Sequence, residues 1–282
     1  MHQADDGGAL GLIAGAGSLP SEAARLLRAQ GYSLSAIGFP GLTEPSLEDE
    51  VDELRWIRLG QLEAMSDALH EMDAERLLLV GKVSKVLLYE GRGIADPDAE
   101  AIRLLSEASD RGDEPLMRAI ARWLEGRGFQ LCSQGELLAA MLAQSGSLGA
   151  RSPSATELAD LDFGRPIAQE LGRLGIGQCV VVKQASVMAV EAIEGTDATI
   201  RRAGELGGKG ATVIKSSRPG QDRRFDLPAV GLGTIDAMRR SGASCLAIEA
   251  GSTLLLDREE MIAAADRENI AVWGFPANRN RA

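Results

Sequence analysis

The sequence predicts an α/β protein of two domains, on three observations. Short apolar runs alternate with helix-period segments from Leu10 onward, the alternation that builds parallel sheets with right-handed crossovers. That alternation lapses over residues 144–154, QSGSLGARSPS, and then restarts. The length of 282 residues, 45% hydrophobic and 25% charged, suffices for two modest domains at roughly 150 residues each. We expect a first domain over residues 8–145, a linker over 146–154 and a second domain over 155–276, with a ligand cleft between the domains.

The elements follow in order. Residues 10–14 read as a buried strand and lead into Gly15-Ala16-Gly17-Ser18-Leu19-Pro20, a glycine turn opening a helix. Ala23, Leu26 and Leu27 share one face of that helix, and Gly31 is its expected C-cap. A strand is predicted over 34–39, a helix over 61–72 and a third strand over 75–80, ending at Gly81. Helices over 98–109 and 113–125 and a short strand over 130–132 complete a Rossmann-like first domain. The second half reads helix 160–174, strands 179–183 and 187–191, helix 196–206, strands 211–214 and 223–227. It ends with helix 234–241, strands 245–248 and 252–256, helix 258–268 and strand 270–273.

Composition removes several function classes. Thirty Lys+Arg against 41 Asp+Glu give a formal net charge of −11, which repels phosphate backbones and disfavours general nucleic-acid binding. The two histidines, His2 and His70, are too few for a histidine-rich metal site, and a Ser-His-Asp triad lacks parts. Cys132, Cys179 and Cys245 stand far apart without a CxxC, which suits a reducing cytoplasm. The strongest apolar run, 77–88, is interrupted by Lys82 and Lys85, so no membrane span is expected. The start Met1-His2-Gln3-Ala4-Asp5-Asp6 is acidic, unlike a signal peptide. A cytoplasmic enzyme or binding protein is the expectation.

Four features carry chemistry. Gly15, Gly17 and Ser18 form a turn before a helix N-terminus, either a phosphate cradle or a turn that needs glycine for geometry alone. As a dinucleotide fingerprint it is defective, because Pro20 holds the third glycine position and the next strand ends Ile37-Gly38-Phe39 without an acid. Lys82, in Gly81-Lys82-Val83-Ser84, would sit at the carboxyl end of the third strand, on the same rim, or be a solvated surface lysine. Gly112-Asp113-Glu114-Pro115 reads as a helix N-cap. Last, Glu191, Glu194, Asp197, Asp226 and Glu249 fall at or near strand ends together with Lys215 and Arg224, a mixture suited to Mg²⁺-assisted phosphoryl chemistry. Singly each acid also reads as a cap or surface charge. Asp226 is the exception, because an idle carboxylate between Phe225 and Leu227-Pro228 would be costly to bury.

These residues carry a resemblance. Residues 11–20 (GLIAGAGSLP), Ile176-Gly177-Gln178, residues 190–197 (VEAIEGTD), Asp226-Leu227-Pro228 and Glu249-Ala250-Gly251 resemble the UDP-2,3-diacylglucosamine pyrophosphatases of lipid A biosynthesis. The type resembled is the histidine-poor one of alphaproteobacteria and other bacteria that lack the metallophosphoesterase version. The likeness runs from about Gly8 to Phe275, and AVEAxEGTD and DLPxxG are its specific motifs. It implies two α/β domains with the ligand between them and Mg²⁺-dependent hydrolysis of UDP-2,3-diacylglucosamine to UMP and 2,3-diacylglucosamine 1-phosphate. The family's essential aspartate falls on Asp226, as Mg²⁺ ligand or positioner of the attacking water. Glu191, Glu194 and Asp197 would complete the metal's surroundings, with Lys215 and Arg224 facing the diphosphate. Gly15, Gly17, Ser18, Lys82, Gln178, Thr196 and Glu249 would bind substrate. The chain departs from the family's Gly-Asn-Val-Ser at Gly81-Lys82-Val83-Ser84 and from its Gly-Asp-Asp at Gly112-Asp113-Glu114. A substrate with two acyl chains implies transient, local and hydrophobic contact with the cytoplasmic face of the inner membrane. Mn²⁺ in place of Mg²⁺ and a homodimer stay open. So do two rivals, an NAD(P)-dependent oxidoreductase using the glycine turn and a non-catalytic nucleotide-sugar or lipid binding protein.

Overall fold

A computed structural model describes residues 8–83, 95–107 and 113–277; Ser84, Gly112 and the side chains of Asp113 and Glu114 lie outside these. The chain divides into two units, Met1–Leu138 with Arg223–Phe225, and Ala139–Asp222 with Asp226–Ala282.

The first unit is a parallel sheet with helical crossovers. Its elements are β1 (Ala9–Ala14), α1 (Leu19–Ala29), β2 (Ser33–Gly38), β3 (Glu53–Trp56), α2 (Leu62–Glu71), β4 (Arg76–Val80), α3 (Ala99–Glu107), α4 (Asp113–Gly126) and β5 (Gln130–Leu131), followed by the short α5 (Gln134–Leu137). The strand order is β3-β2-β1-β4-β5, every pair parallel. β1 lies at the middle and β2 and β4 diverge from it on either side, so the chain reverses direction at β1–β4, where open α/β sheets bind ligands. Central strands buried on both faces read as continuous apolar runs, and Leu10, Leu12, Ile13 and Ala14 accordingly have almost no exposure. β3 is absent from the sequence reading for the converse reason. As Glu-Leu-Arg-Trp on the sheet edge it is only half-buried, and its polar residues mask the strand period. In α1, Pro20 occupies the first turn, where its missing N–H is no loss, and Ala23, Ala24 and Leu27 face inward.

The second unit carries a mixed sheet ordered β6-β13-β11-β9-β7-β8. Its strands are β6 (Gly146–Ser147), β7 (Cys179–Lys183), β8 (Ser186–Val190), β9 (Thr212–Lys215), β11 (Cys245–Glu249) and β13 (Ala271–Phe275). β10 (Ala229–Val230) and β12 (Leu254–Leu255) pair separately. The helices are α6 (Ala155–Arg173), α7 (Thr196–Glu205), α8 (Leu232–Ser241) and α9 (Arg258–Arg267). β9, β11 and β13 run parallel. β7 and β8 are antiparallel, as a two-residue connection requires, and the turn residues Gln184 and Ala185 both take positive φ. The Ala185 N–H donates to the buried Asp160 carboxylate at 2.8 Å, which fixes that turn.

Two features of the second unit differ from the sequence reading. Residues 146–154, expected as a linker, belong to it: Gly146 and Ser147 pair with β13, and Ser154 caps α6. That capping box, Ser154 with Glu157, starts α6 five residues before the expected Asp160. Residues 223–227 are not a strand. Residues 223–225 form a turn that belongs to the first unit, and Phe225 is buried in that unit's core, so the alternation Arg-Phe-Leu reflects an anchor rather than a sheet face.

Candidate active site

The glycine turn of the first unit is shaped largely by its own backbone. Gly15 N–H donates to the Val80 carbonyl at 2.7 Å, and Ala16 and Lys82 exchange both backbone bonds, at 2.8 and 3.0 Å. A Cβ at Gly15 would lie 2.6 Å from the Lys82 carbonyl oxygen, so this glycine is needed for close approach of two loops. Gly17, by contrast, has φ +94° and open space around it. Ser18 donates to Glu22 at 2.6 Å, which sets an acid in the first turn of α1. Lys82 is exposed beside this turn, and Thr43, buried, ties the loop after β2 to the Ala14 carbonyl. Lys82 and Gly15 thus share the rim at the carboxyl ends of β1 and β4, as the spacing predicted.

The second unit gathers several named residues at one sheet edge. β9 and β11 end there with Lys215 and Glu249, and antiparallel β7 begins there, Cys179 standing opposite Lys215. Glu191 follows β8 and returns to the same edge, its N–H donating to the Cys179 carbonyl at 2.9 Å. One Glu191 oxygen accepts the Gln178 N–H at 2.9 Å and the other the Thr196 hydroxyl at 2.8 Å. Gly177 is obligatory here, because a Cβ would collide with the Glu191 carbonyl. Thr196 in turn accepts from Lys215 Nζ at 3.1 Å, and Nζ donates to the Ala229 carbonyl at 2.8 Å. The Lys215 side chain therefore runs to its place in a buried setting with Glu191, Thr196 and Ala229 as its framework. Burial pushes the neighbouring Cys179 thiol far up, which makes it a core residue rather than a nucleophile.

Asp226 lies in the segment between β9 and β10. Arg218 pairs with its carboxylate, the Gln221 side-chain amide donates to its carbonyl, and its own N–H donates to the Asp222 carbonyl at 3.2 Å. Two residues, Leu227 and Pro228, separate it from Ala229, whose carbonyl accepts from Lys215, so the Asp226 and Ala229 Cα atoms lie at most about 11 Å apart. Arg218 and Gln221 are absent from the sequence reading. The only signal for them is their position just beyond the carboxyl end of a parallel strand, where ligand-site residues concentrate.

Of the remaining named residues, Asp197 follows Thr196 and acts electrostatically on Cys179, whereas Glu194 and Arg224 are paired elsewhere. Glu194 pairs with Arg202 at 2.6 Å and accepts from Thr199; the Arg202 bond holds its carboxyl below the usual range. Asp197 accepts the Thr234 hydroxyl at 3.3 Å, in the first turn of α7. Arg224 pairs with Glu125 at 2.6 Å and stacks over Phe225, within the first unit. Among the described residues no three of His, Cys, Asp or Glu gather as a metal site. Among them, too, no helix is long and apolar enough to cross a membrane.

Comparison with known proteins covers both units. The LpxI N-terminal domain family model matches residues 9–141 and the LpxI C-terminal domain model residues 144–273. The UDP-2,3-diacylglucosamine pyrophosphatase LpxI of Caulobacter vibrioides is 34% identical over 277 residues, spanning 94% of this chain and 96% of that protein. Solved structures align more loosely. The biotin carboxylase domain of Hydrogenobacter thermophilus 2-oxoglutarate carboxylase gives a TM-score of 0.25 at 16% identity, over 62% of this chain and 35% of that one.

Proposed function

The chain belongs to the LpxI family, and on that premise we propose that it hydrolyses the diphosphate of UDP-2,3-diacylglucosamine in lipid A biosynthesis. The products are UMP and 2,3-diacylglucosamine 1-phosphate. The observation that carries this reading is the match over both domains and nearly all of the curated relative. The Asp-Leu-Pro aspartate, Asp226, supports it: its side chain is not buried between Phe225 and Leu227 as the sequence suggested but about a third exposed, with its carboxylate paired to Arg218 and its backbone carbonyl held by Gln221.

In the reaction a water oxygen bonds to one phosphorus, the bridging P–O bond breaks, and the departing phosphate keeps the electron pair. Asp226 positions that water and takes its proton, or passes it to solvent. Lys215, held by Thr196 and the Ala229 carbonyl, places a positive charge for the diphosphate. Gly17, Ser18 and Lys82 are assigned to the nucleotide or phosphate side. Mg²⁺, or Mn²⁺ in its place, when bound offsets charge on the phosphate oxygens. Asp226 would hold the ion, since a magnesium site can rest on one or two protein carboxylates rather than a preassembled cage. The acyl chains bring the enzyme transiently to the cytoplasmic face of the inner membrane, and the net charge of −11 favours local hydrophobic docking over electrostatic adsorption.

The test incubates the protein with UDP-2,3-diacylglucosamine in heavy-oxygen water, with Mg²⁺ or Mn²⁺ and with or without chelator. UMP should form, cease with chelator, and one product phosphate should carry the label. No UMP with either metal would overturn the assignment.

A further inference from the structure

We infer that Glu249 is a positioning residue for Asp226, acting through Ser216, Ser217 and Arg218; the inference rests on Asp226 being the essential acid. Glu249 ends β11 with only 7% exposure, and both its oxygens are taken by the neighbouring segment. One accepts the Ser216 hydroxyl at 2.5 Å and the Ser217 N–H at 3.1 Å, and the other the Ser217 hydroxyl at 2.9 Å. A carboxylate so buried is tolerated because donors surround it, and here every one of these donors comes from two consecutive residues. Ser216, almost wholly buried, is fixed a second time by its N–H bond to the Gln178 carbonyl at 3.0 Å.

The next residue is Arg218, whose guanidinium pairs with Asp226 and whose N–H donates to Gln221 Oε1 at 2.9 Å. Gln221 then holds the Asp226 carbonyl through its side-chain amide. Glu249 therefore clamps the root of a segment, and Arg218 and Gln221 brace it across to Asp226. A substrate-binding carboxylate would keep an oxygen directed at its ligand, whereas both oxygens of Glu249 serve serine donors. Misplacing a reacting group by about 1 Å costs on the order of 10²-fold in rate.

The experiment measures kcat and KM on UDP-2,3-diacylglucosamine for Glu249→Ala, Glu249→Gln, the double change Ser216→Ala/Ser217→Ala, and Asp226→Ala, with circular dichroism on each. Glu249→Ala should lower kcat by about 10²-fold with little change in KM. Glu249→Gln should recover most of the rate, since its amide can accept from Ser217 N–H and donate to a serine hydroxyl. The serine double change should reproduce the Glu249→Ala loss, and it stands in for that variant if the alanine at 249 does not fold. A near-parental kcat in both Glu249→Ala and the serine double change, with Asp226→Ala inactive, overturns the inference and leaves the reading of Asp226 intact. A raised KM at unchanged kcat in Glu249→Ala overturns it in favour of direct substrate contact. An active Asp226→Ala overturns the reading on which the inference rests.

Discussion

Phe225→Ala separates anchoring of the Asp226 segment from the chemistry of Asp226 itself. Phe225 is 8% exposed and lies in the buried cluster that includes Leu77, Leu124 and Phe129 of the first unit. The very next residue, Asp226, belongs to the second unit. Truncating a core phenylalanine costs about 3–5 kcal/mol, and a ring on a three-residue excursion belongs at the lower end, about 3 kcal/mol. At roughly 2–4 °C per kcal/mol for a domain of this size, the first unit's transition should fall by about 6–12 °C. Scanning calorimetry reads this directly. Kinetics well below that transition should show kcat lowered by about 10²-fold, because the residue that directly precedes Asp226 in the chain has lost its packing. Phe225→Leu, which keeps most of the apolar volume, should recover the larger part of both losses. An unchanged transition together with parental kcat in Phe225→Ala would refute the reasoning.

Further outcomes follow from individual contacts. Lys215→Met keeps the aliphatic stem but removes the ammonium, and steady-state assays should show kcat reduced by about 10²–10³-fold; a loss below tenfold would remove Lys215 from the reaction. Gly15→Ala forces a Cβ to 2.6 Å from the Lys82 carbonyl, so urea denaturation should show a loss of about 1–3 kcal/mol. Gly17→Ala meets open space and should cost only the strain of its positive φ, about 1 kcal/mol; a larger loss at Gly17 than at Gly15 would contradict the close-approach account. For Glu157, burial alone would raise the pKa, but bonds from Arg151, Ser244 and Ser154 outweigh it and hold the carboxyl below its ordinary value. A depressed folded pKa gives stability that is present above the unfolded value, about 4.3, and is lost as pH falls through the folded one. Glu157→Gln should therefore be less stable than the parent at pH 7, with the gap narrowing on acidification; a pH-independent gap would contradict this.

What the sequence made legible follows from how locally each feature is determined. β1, β2 and β4 announce themselves because strands buried on both faces must be apolar throughout, as Leu10 to Ala14 are. Edge elements do not: β3 carries Glu53 and Arg55, and β6 is two residues defined only by pairing with β13. The capping box of Ser154 and Glu157 is legible as S-x-x-E, but its N-cap, Ser154, is the last residue of the expected linker, ahead of the expected helix start at Asp160. Residues 223–227 mislead because their alternation satisfies a strand template, while Phe225 is buried by a different unit. At the site, Lys215 and Glu249 were visible as charged strand ends and Asp226 as an acid among apolar neighbours. Their partners were not visible. Ser216, Ser217, Arg218 and Gln221 become partners only through tertiary placement, and nothing in a polar Ser-Ser-Arg-Pro-Gly-Gln run specifies which acid each will meet.

The central claim is that Asp226 carries the hydrolysis of a nucleotide-sugar diphosphate. Single-turnover release of UMP from UDP-2,3-diacylglucosamine by Asp226→Ala, with Mg²⁺ and an excess of folded protein, tests it most directly. The account predicts that the variant keeps the parental circular dichroism spectrum and still binds substrate but releases no UMP above the uncatalysed background. UMP release at the parental rate by the folded variant would contradict it.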